Sequence, residues 1–317
     1  MVSKKSSIII VLAITLLASV FVFWAVKARH DSLLIPTASS QRLSVVTTLF
    51  PLYDMARAIG GDRVDARLLL PPGVEAHAFE PKPSDLARIG QADLFIYTGG
   101  LMEPWAKGVL SGIISAKLKV VDVSRGAILK PTVFHENIQA GTTDPHFWLD
   151  FGNAKQMAGI MAQAFAAADP PSQAYFQERL VVYTAELDRL DNQYRQTLSG
   201  CAQKEIVYAG HYAFGYLASR YGLKYLAAQG VAPDAEPTAQ DLARLVKQLR
   251  GNDIKFVFYE ELSSPKLAQT IADEAGARLL LLNAGHNVTK DQLEQGMTFF
   301  AIMEADLANL KIGLDCP

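Results

Sequence analysis

From residue 43 onward, short apolar runs alternate with segments whose apolar positions recur at helical spacing. The runs at 43–48, 64–70, 92–97 and 119–123 read as strands, and the intervening pattern predicts helices at 53–59, 85–89 and about 103–115. A Pro71-Pro72-Gly73 turn closes the second run, and Ser84 is the expected N-cap of the second helix. Residues 151–168 and 173–198 then read as two helices in succession. In the second, Phe176, Leu180, Tyr183, Leu187, Leu190 and Tyr194 form an apolar stripe in a charged background. Strands return at 205–209, 224–227, 255–260 and 278–282, with helices after His211, Thr238, Ser264 and Thr289. Regular alternation of this kind implies βα units and mainly parallel sheets. The expected fold is α/β: an N-terminal lobe at 43–168, a connecting helix at 169–199 and a C-terminal lobe at 200–317. A plain surface helix is the alternative for the connector.

The start of the chain breaks this pattern. Lys4 and Lys5 precede an uncharged run of 19 residues, 8–26, which Lys27 and Arg29 follow. That is the layout of an export signal or a membrane anchor, about as long as a bilayer span. Residues 1–30 are therefore expected to engage the export machinery or the membrane, with 31–42 as a linker and the rest outside the cytoplasmic membrane.

Composition adds mostly exclusions. Half of the 317 residues are hydrophobic and the formal net charge is −2, so no basic surface points to nucleic acid. Cys201 and Cys316 form no C-x-x-C pair, which argues against a thiolate zinc site. In an oxidising compartment they could close one long disulfide loop, and in a reducing one they would stay thiols.

The candidate chemistry lies in four of the six histidines. His77 follows the strand at 64–70, His211 the strand at 205–209 and His286 the strand at 278–282; His146 sits in a loop just before a helix. Loops beyond strand ends are where open α/β sheets bind ligands. Any one loop histidine is weak evidence, but two per lobe in equivalent positions suggest one tetrahedral site, and neutral imidazoles suit zinc and its first-row neighbours. The spacings of 69, 65 and 75 residues belong to no local metal-binding loop, so the fold must assemble the site. His30 and His135 have no such setting. Among carboxylates, Glu80 and Asp150 are candidates to accept the second N–H of an imidazole, or else are helix N-terminal charges. Glu260 or Glu261, at a strand end, could stand in for a missing ligand. No P-loop, dinucleotide fingerprint or nucleophile elbow is present.

The segments PGVEAHAFEPKPSDL (72–86), DPHFWLD (144–150), GHYAFGYL (210–217) and AEPTAQDL (235–242) resemble, in order, the zinc/manganese solute-binding proteins of ABC importers, the ZnuA/TroA-like cluster. The resemblance covers about residue 45 to the C-terminus. It implies a stiff connecting helix, a Zn2+ (alternatively Mn2+) site between the lobes, an ABC permease as partner, and a monomer. It also implies that His77, His146 and His211 bind metal. The family's fourth ligand is usually Asp or Glu in the loop after the late strand; here Asn283 stands where an Asp often does, and His286 is the expected fourth ligand. The His/Asp-rich loop that often precedes the second motif is short here, with His135 and Glu136 only. A metal-stabilised surface adhesin is the alternative from another class.

Overall fold

The computed structural model describes residues 42–134, 137–231, 237–262 and 264–317, with backbone alone at 134 and 137–142. The leader expected at 1–30, nearly all of the linker, and His30, His135, Glu136 and Glu236 lie outside the described residues. Among the described residues, no helix is long and apolar enough to cross a membrane.

The first sheet comprises β1 (Leu43–Thr47), β2 (Val64–Leu68), β3 (Leu94–Tyr97) and β4 (Lys119–Asp122), all parallel, in the order β2-β1-β3-β4. Its helices are α1 (Phe50–Gly60), α2 (Pro83–Gln91) and α3 (Ala106–Gly112). Two helices follow, α4 (Phe151–Ala168) and α5 (Gln173–Ser199). The second sheet comprises β7 (Glu205–Tyr208), β8 (Lys224–Ala227), β9 (Phe256–Glu260) and β10 (Arg278–Leu282), again parallel, in the order β10-β9-β7-β8. Its helices are α6 (Gly215–Tyr221), α7 (Ala239–Gly251), α8 (Lys266–Ala275) and α9 (Lys290–Glu294). Read from β8, the strand order has the same winding as the first sheet: the first strand lies inside, between the second and third. The inner strands, buried on both faces, show apolar runs in place of alternation, as in LFIY of β3 and FVFY of β9.

Three features differ from the expectation. Residues 131–134 and 137–143, on either side of the polar loop expected at His135, pair as the antiparallel hairpin strands β5 (Pro131–Phe134) and β6 (Asn137–Thr143). Residues 299–313, left unassigned, form α10 (Phe299–Gly313), capped by Thr298. It is apolar on nearly every side, so no amphipathic period marks it. Lys82, not Ser84, is the N-cap of α2, because Pro83 already takes the first helical position.

One apolar core runs through both halves. It joins Val45, Leu94 and Ile96 of the first sheet to Ile206, Tyr208, Phe258 and Leu282 of the second. The α5 stripe of Phe176, Tyr183, Leu187, Leu190 and Tyr194 belongs to the same cluster, and the Tyr194 hydroxyl donates to Met303 O at 2.6 Å. At about 1.5 Å per residue, this helix of 27 residues is roughly 40 Å long. A core continuous across the lobes resists wide hinge opening. Cys201 and Cys316 are joined by a disulfide that ties the chain end to the segment after α5.

Candidate metal centre

All four candidate histidines meet between the carboxyl ends of the two sheets. Their six ring-centroid separations span only 4.9–5.6 Å, so the imidazoles sit near the corners of a tetrahedron. One nitrogen from each lies within 4.8 Å of the others. His146 Nε2 is 3.2 Å from both His77 Nε2 and His211 Nε2. A zinc–nitrogen bond of about 2.0–2.1 Å sets tetrahedral nitrogens about 3.3–3.4 Å apart. The donor spacing therefore fits such an ion with little adjustment. His146 and His211 are fully buried and His286 nearly so, while His77 is half-exposed. His286 Nε2 is buried without a hydrogen-bond partner, as a nitrogen awaiting an ion would be.

Each imidazole is set by its local chain. His77 rides an irregular loop between β2 and α2, in which Gly73 takes the left-handed φ of 79°. His146 follows the hairpin, and Asp144 fixes it twice: Oδ1 accepts the His146 backbone N–H at 2.9 Å and lies 2.7 Å from Nδ1. His211 follows β7 through Gly210, and the Glu260 carboxylate makes an ion pair with its Nδ1. A Cβ at Gly210 would lie 2.8 Å from Glu260 Oε2, and one at Gly215 would lie 2.8 Å from Asp144 Oδ2. These two glycines leave room for the carboxylates. His286 follows β10, and its Nδ1 is 3.5 Å from Glu261 Oε1. Trp148 packs beside His146 and His286, with ring centroids 5.4 Å from each.

The loop that carries His286 follows a second-sheet strand yet is bonded chiefly to the other lobe. Phe50 N–H donates to His286 O at 3.0 Å, and Gly73 N–H to Val288 O at 2.9 Å. Trp148 Nε1 donates to Ala284 O at 2.8 Å. The buried Asn287 amide donates to Pro71 O at 2.7 Å and to Val74 O at 2.8 Å, in the segment leading to His77.

The electrostatics divide the site. Burial, with the neighbouring His286 and His211, lowers the His77 imidazole to about 2, and burial takes His146 far below its usual range. Both are neutral donors at neutral pH. Burial opposes charge on His211 as well, but the Glu260 bond and the charges of Glu260, Glu261 and Glu75 raise it. Burial pushes the Asp144 carboxyl up to about 8, which favours its protonated form in the metal-free site.

Three expected supporting residues are placed elsewhere. Glu80 is exposed, at a distance from imidazole hydrogen bonding. Asp150 caps α4 through the N–H groups of Gly152 and Asn153 and pairs with Arg220 at 2.7 Å; Asp144 occupies the position on His146 expected of it. The Asn283 side chain accepts the Gly285 N–H at 2.7 Å, which shapes the turn before His286. Asp144 was legible only as part of the motif around His146, because a residue two positions away in a loop points wherever the turn sends it.

The chain matches the family model of the zinc-uptake complex component A, periplasmic, over residues 45–313. The high-affinity zinc uptake system protein ZnuA of Bacillus subtilis is 34% identical over 323 residues, 99% of each chain. The zinc-binding lipoprotein AdcA of Streptococcus pneumoniae is 33% identical over 85% of this chain, which spans 55% of that longer protein. The solved zinc-bound ZnuA-like domain of the same AdcA superposes with a TM-score of 0.75 at 33% identity, covering 87% of this chain and 100% of the domain. The laminin-binding protein Lmb of Streptococcus agalactiae, described as having adhesin and metal transporting activity, gives 0.75 at 29% identity, with 86% and 100% covered. With its fold, the convergence of the histidines and these matches in agreement, the chain belongs to the zinc-uptake complex component A family.

Proposed function

We propose that this protein is the extracytoplasmic zinc receptor of an ABC import system, holding one Zn2+ between its lobes and handing it to a membrane permease. The supporting observation is the tetrahedral convergence of His77, His146, His211 and His286. Residues 43–168 and 200–317 serve as the lobes, with 169–199 as the stiff connector, and the receptor acts as a monomer. An all-nitrogen set favours zinc over manganese, which prefers oxygen ligands. Four protein ligands fill the tetrahedral shell, whereas a hydrolytic zinc keeps one position for water; this favours a carrier over an enzyme. The continuous core and the bonded His286 loop argue for delivery by withdrawal of individual ligands on docking, without wide hinge opening. The apolar segment at 8–26 exports the protein or anchors it.

Chelator competition on the metal-stripped protein tests this reading. One zinc per chain at nanomolar or tighter affinity, with manganese far weaker, is expected. Tight manganese binding would reverse the metal assignment, and tight binding of neither would sink the receptor. The likeness to Lmb favours adhesion as a second reading. Laminin binding that survives loss of His77 and His211 would support it.

A further inference from the structure

We propose that Glu261 is a positioning residue that makes His286 a ligand, an extension that rests on the zinc-receptor reading. Glu260 and Glu261 are adjacent at the end of β9, where strand geometry would send their side chains to opposite faces. They nonetheless serve two imidazoles from different loops: Glu260 meets His211 and Glu261 meets His286. The strand stops at Glu260, and the chain turns through Leu262, which adopts a left-handed φ of 60° although 43% exposed. A non-glycine residue held there is strained, and such strain persists where the surroundings demand the turn. Leu262 contributes little burial of its own, so the feature served by the turn is the placement of the carboxylate beside it.

The pair itself is incomplete without a cation. The Glu261 and His286 side chains are only 8% and 7% exposed, and their contact is a loose 3.5 Å. Glu261 Oε2 and His286 Nε2 are both buried without hydrogen-bond partners. A buried carboxylate with a bare oxygen is costly unless positive charge stands nearby. An ion on Nε2 supplies that charge and leaves the imidazole proton on Nδ1, facing Glu261. The carboxylate then holds the ring in the tautomer that offers its Nε2 lone pair and raises that nitrogen's basicity. Glu261 thus does for His286 what Asp144 does for His146 and Glu260 for His211.

The test compares the full-length protein with E261Q, H286A and the double variant H286A/E261Q, by chelator competition with zinc and by the visible absorption of bound Co2+. E261Q is expected to weaken zinc binding about 10- to 100-fold and to shift the Co2+ bands, with no loss of melting temperature in the metal-free protein. In the H286A background the same substitution is expected to change zinc affinity less than about twofold, because its effect passes through the imidazole. E261Q binding zinc as tightly as the parent protein would overturn the proposal. So would an equal loss with and without His286, which would mark Glu261 as a general charge or a packing group. Failure of the unmodified protein to bind zinc would instead defeat the receptor reading itself.

Discussion

Replacing Asp144 by Asn separates the charge of a supporting carboxylate from its geometry. Asp144 Oδ1 alone accepts the His146 backbone N–H and contacts Nδ1, at 2.9 and 2.7 Å, so the amide oxygen of Asn can keep both contacts. Only the charge is lost. Hydrogen bonds to a charged group contribute about 1.5–3 kcal/mol against about 0.5–1.5 for neutral pairs, a difference of roughly 1.4 kcal/mol or tenfold. The expected zinc affinity of D144N is therefore about 10-fold weaker than that of the parent, at the lower end of the range known for groups behind metal ligands. A second signature comes from protonation. Burial raises the Asp144 carboxyl to about 8 in the free protein, and an ion on His146 favours its charged form, so binding expels that proton. Affinity of the parent should climb with pH up to about 8, while D144N lacks this component. Chelator competition between pH 6 and 8.5 measures both. An Asn variant within twofold of the parent across that range would refute the argument that the ion uses this charge.

Two further substitutions probe the frame around the site. Asn287→Ala strips two hydrogen bonds that the buried amide makes to Pro71 O and Val74 O; urea unfolding should show a loss of about 1–3 kcal/mol, and zinc binding should weaken because the same bonds align the His286 and His77 loops. Asp54, 5% exposed, accepts the Phe299 N–H, and burial raises its carboxyl to about 6. Because the folded value lies above the unfolded one, its contribution is present at low pH and lost as pH rises toward 6. The metal-free parent should lose about 2 kcal/mol relative to Asp54→Asn between pH 4.5 and 7; parallel unfolding curves would remove Asp54 from the account.

The sequence by itself determined the class of fold and the four histidines that meet. Strands at the centre of a parallel sheet are buried on both faces and read as apolar runs, which marked β3 and β9; the edge strands β2 and β4 carry charged residues and were marked by the alternation with helices, while β8 and β10 matched to the residue. The α5 stripe was legible for the same kind of reason, since one face of a long helix had to join the core. The β5–β6 hairpin and α10 were not, because neither carries its element's usual period: NIQAGTT of β6 is largely polar, and α10 is apolar on nearly every side. Only tertiary structure decided which carboxylate stands behind which imidazole. Glu80 and Asp150 lie within four residues of a histidine, as Asp144 does, yet a loop carries the first into solvent and a helix cap claims the second. Glu260 and Glu261 are remote from the histidines they serve, and two strand ends and a strained turn bring them there. Chain order likewise assigned His286 to the second lobe, while hydrogen bonds fasten its loop to the first. Periodicity reports which face of an element is buried; it carries no information on where a loop side chain points, because that depends on backbone angles set by distant contacts.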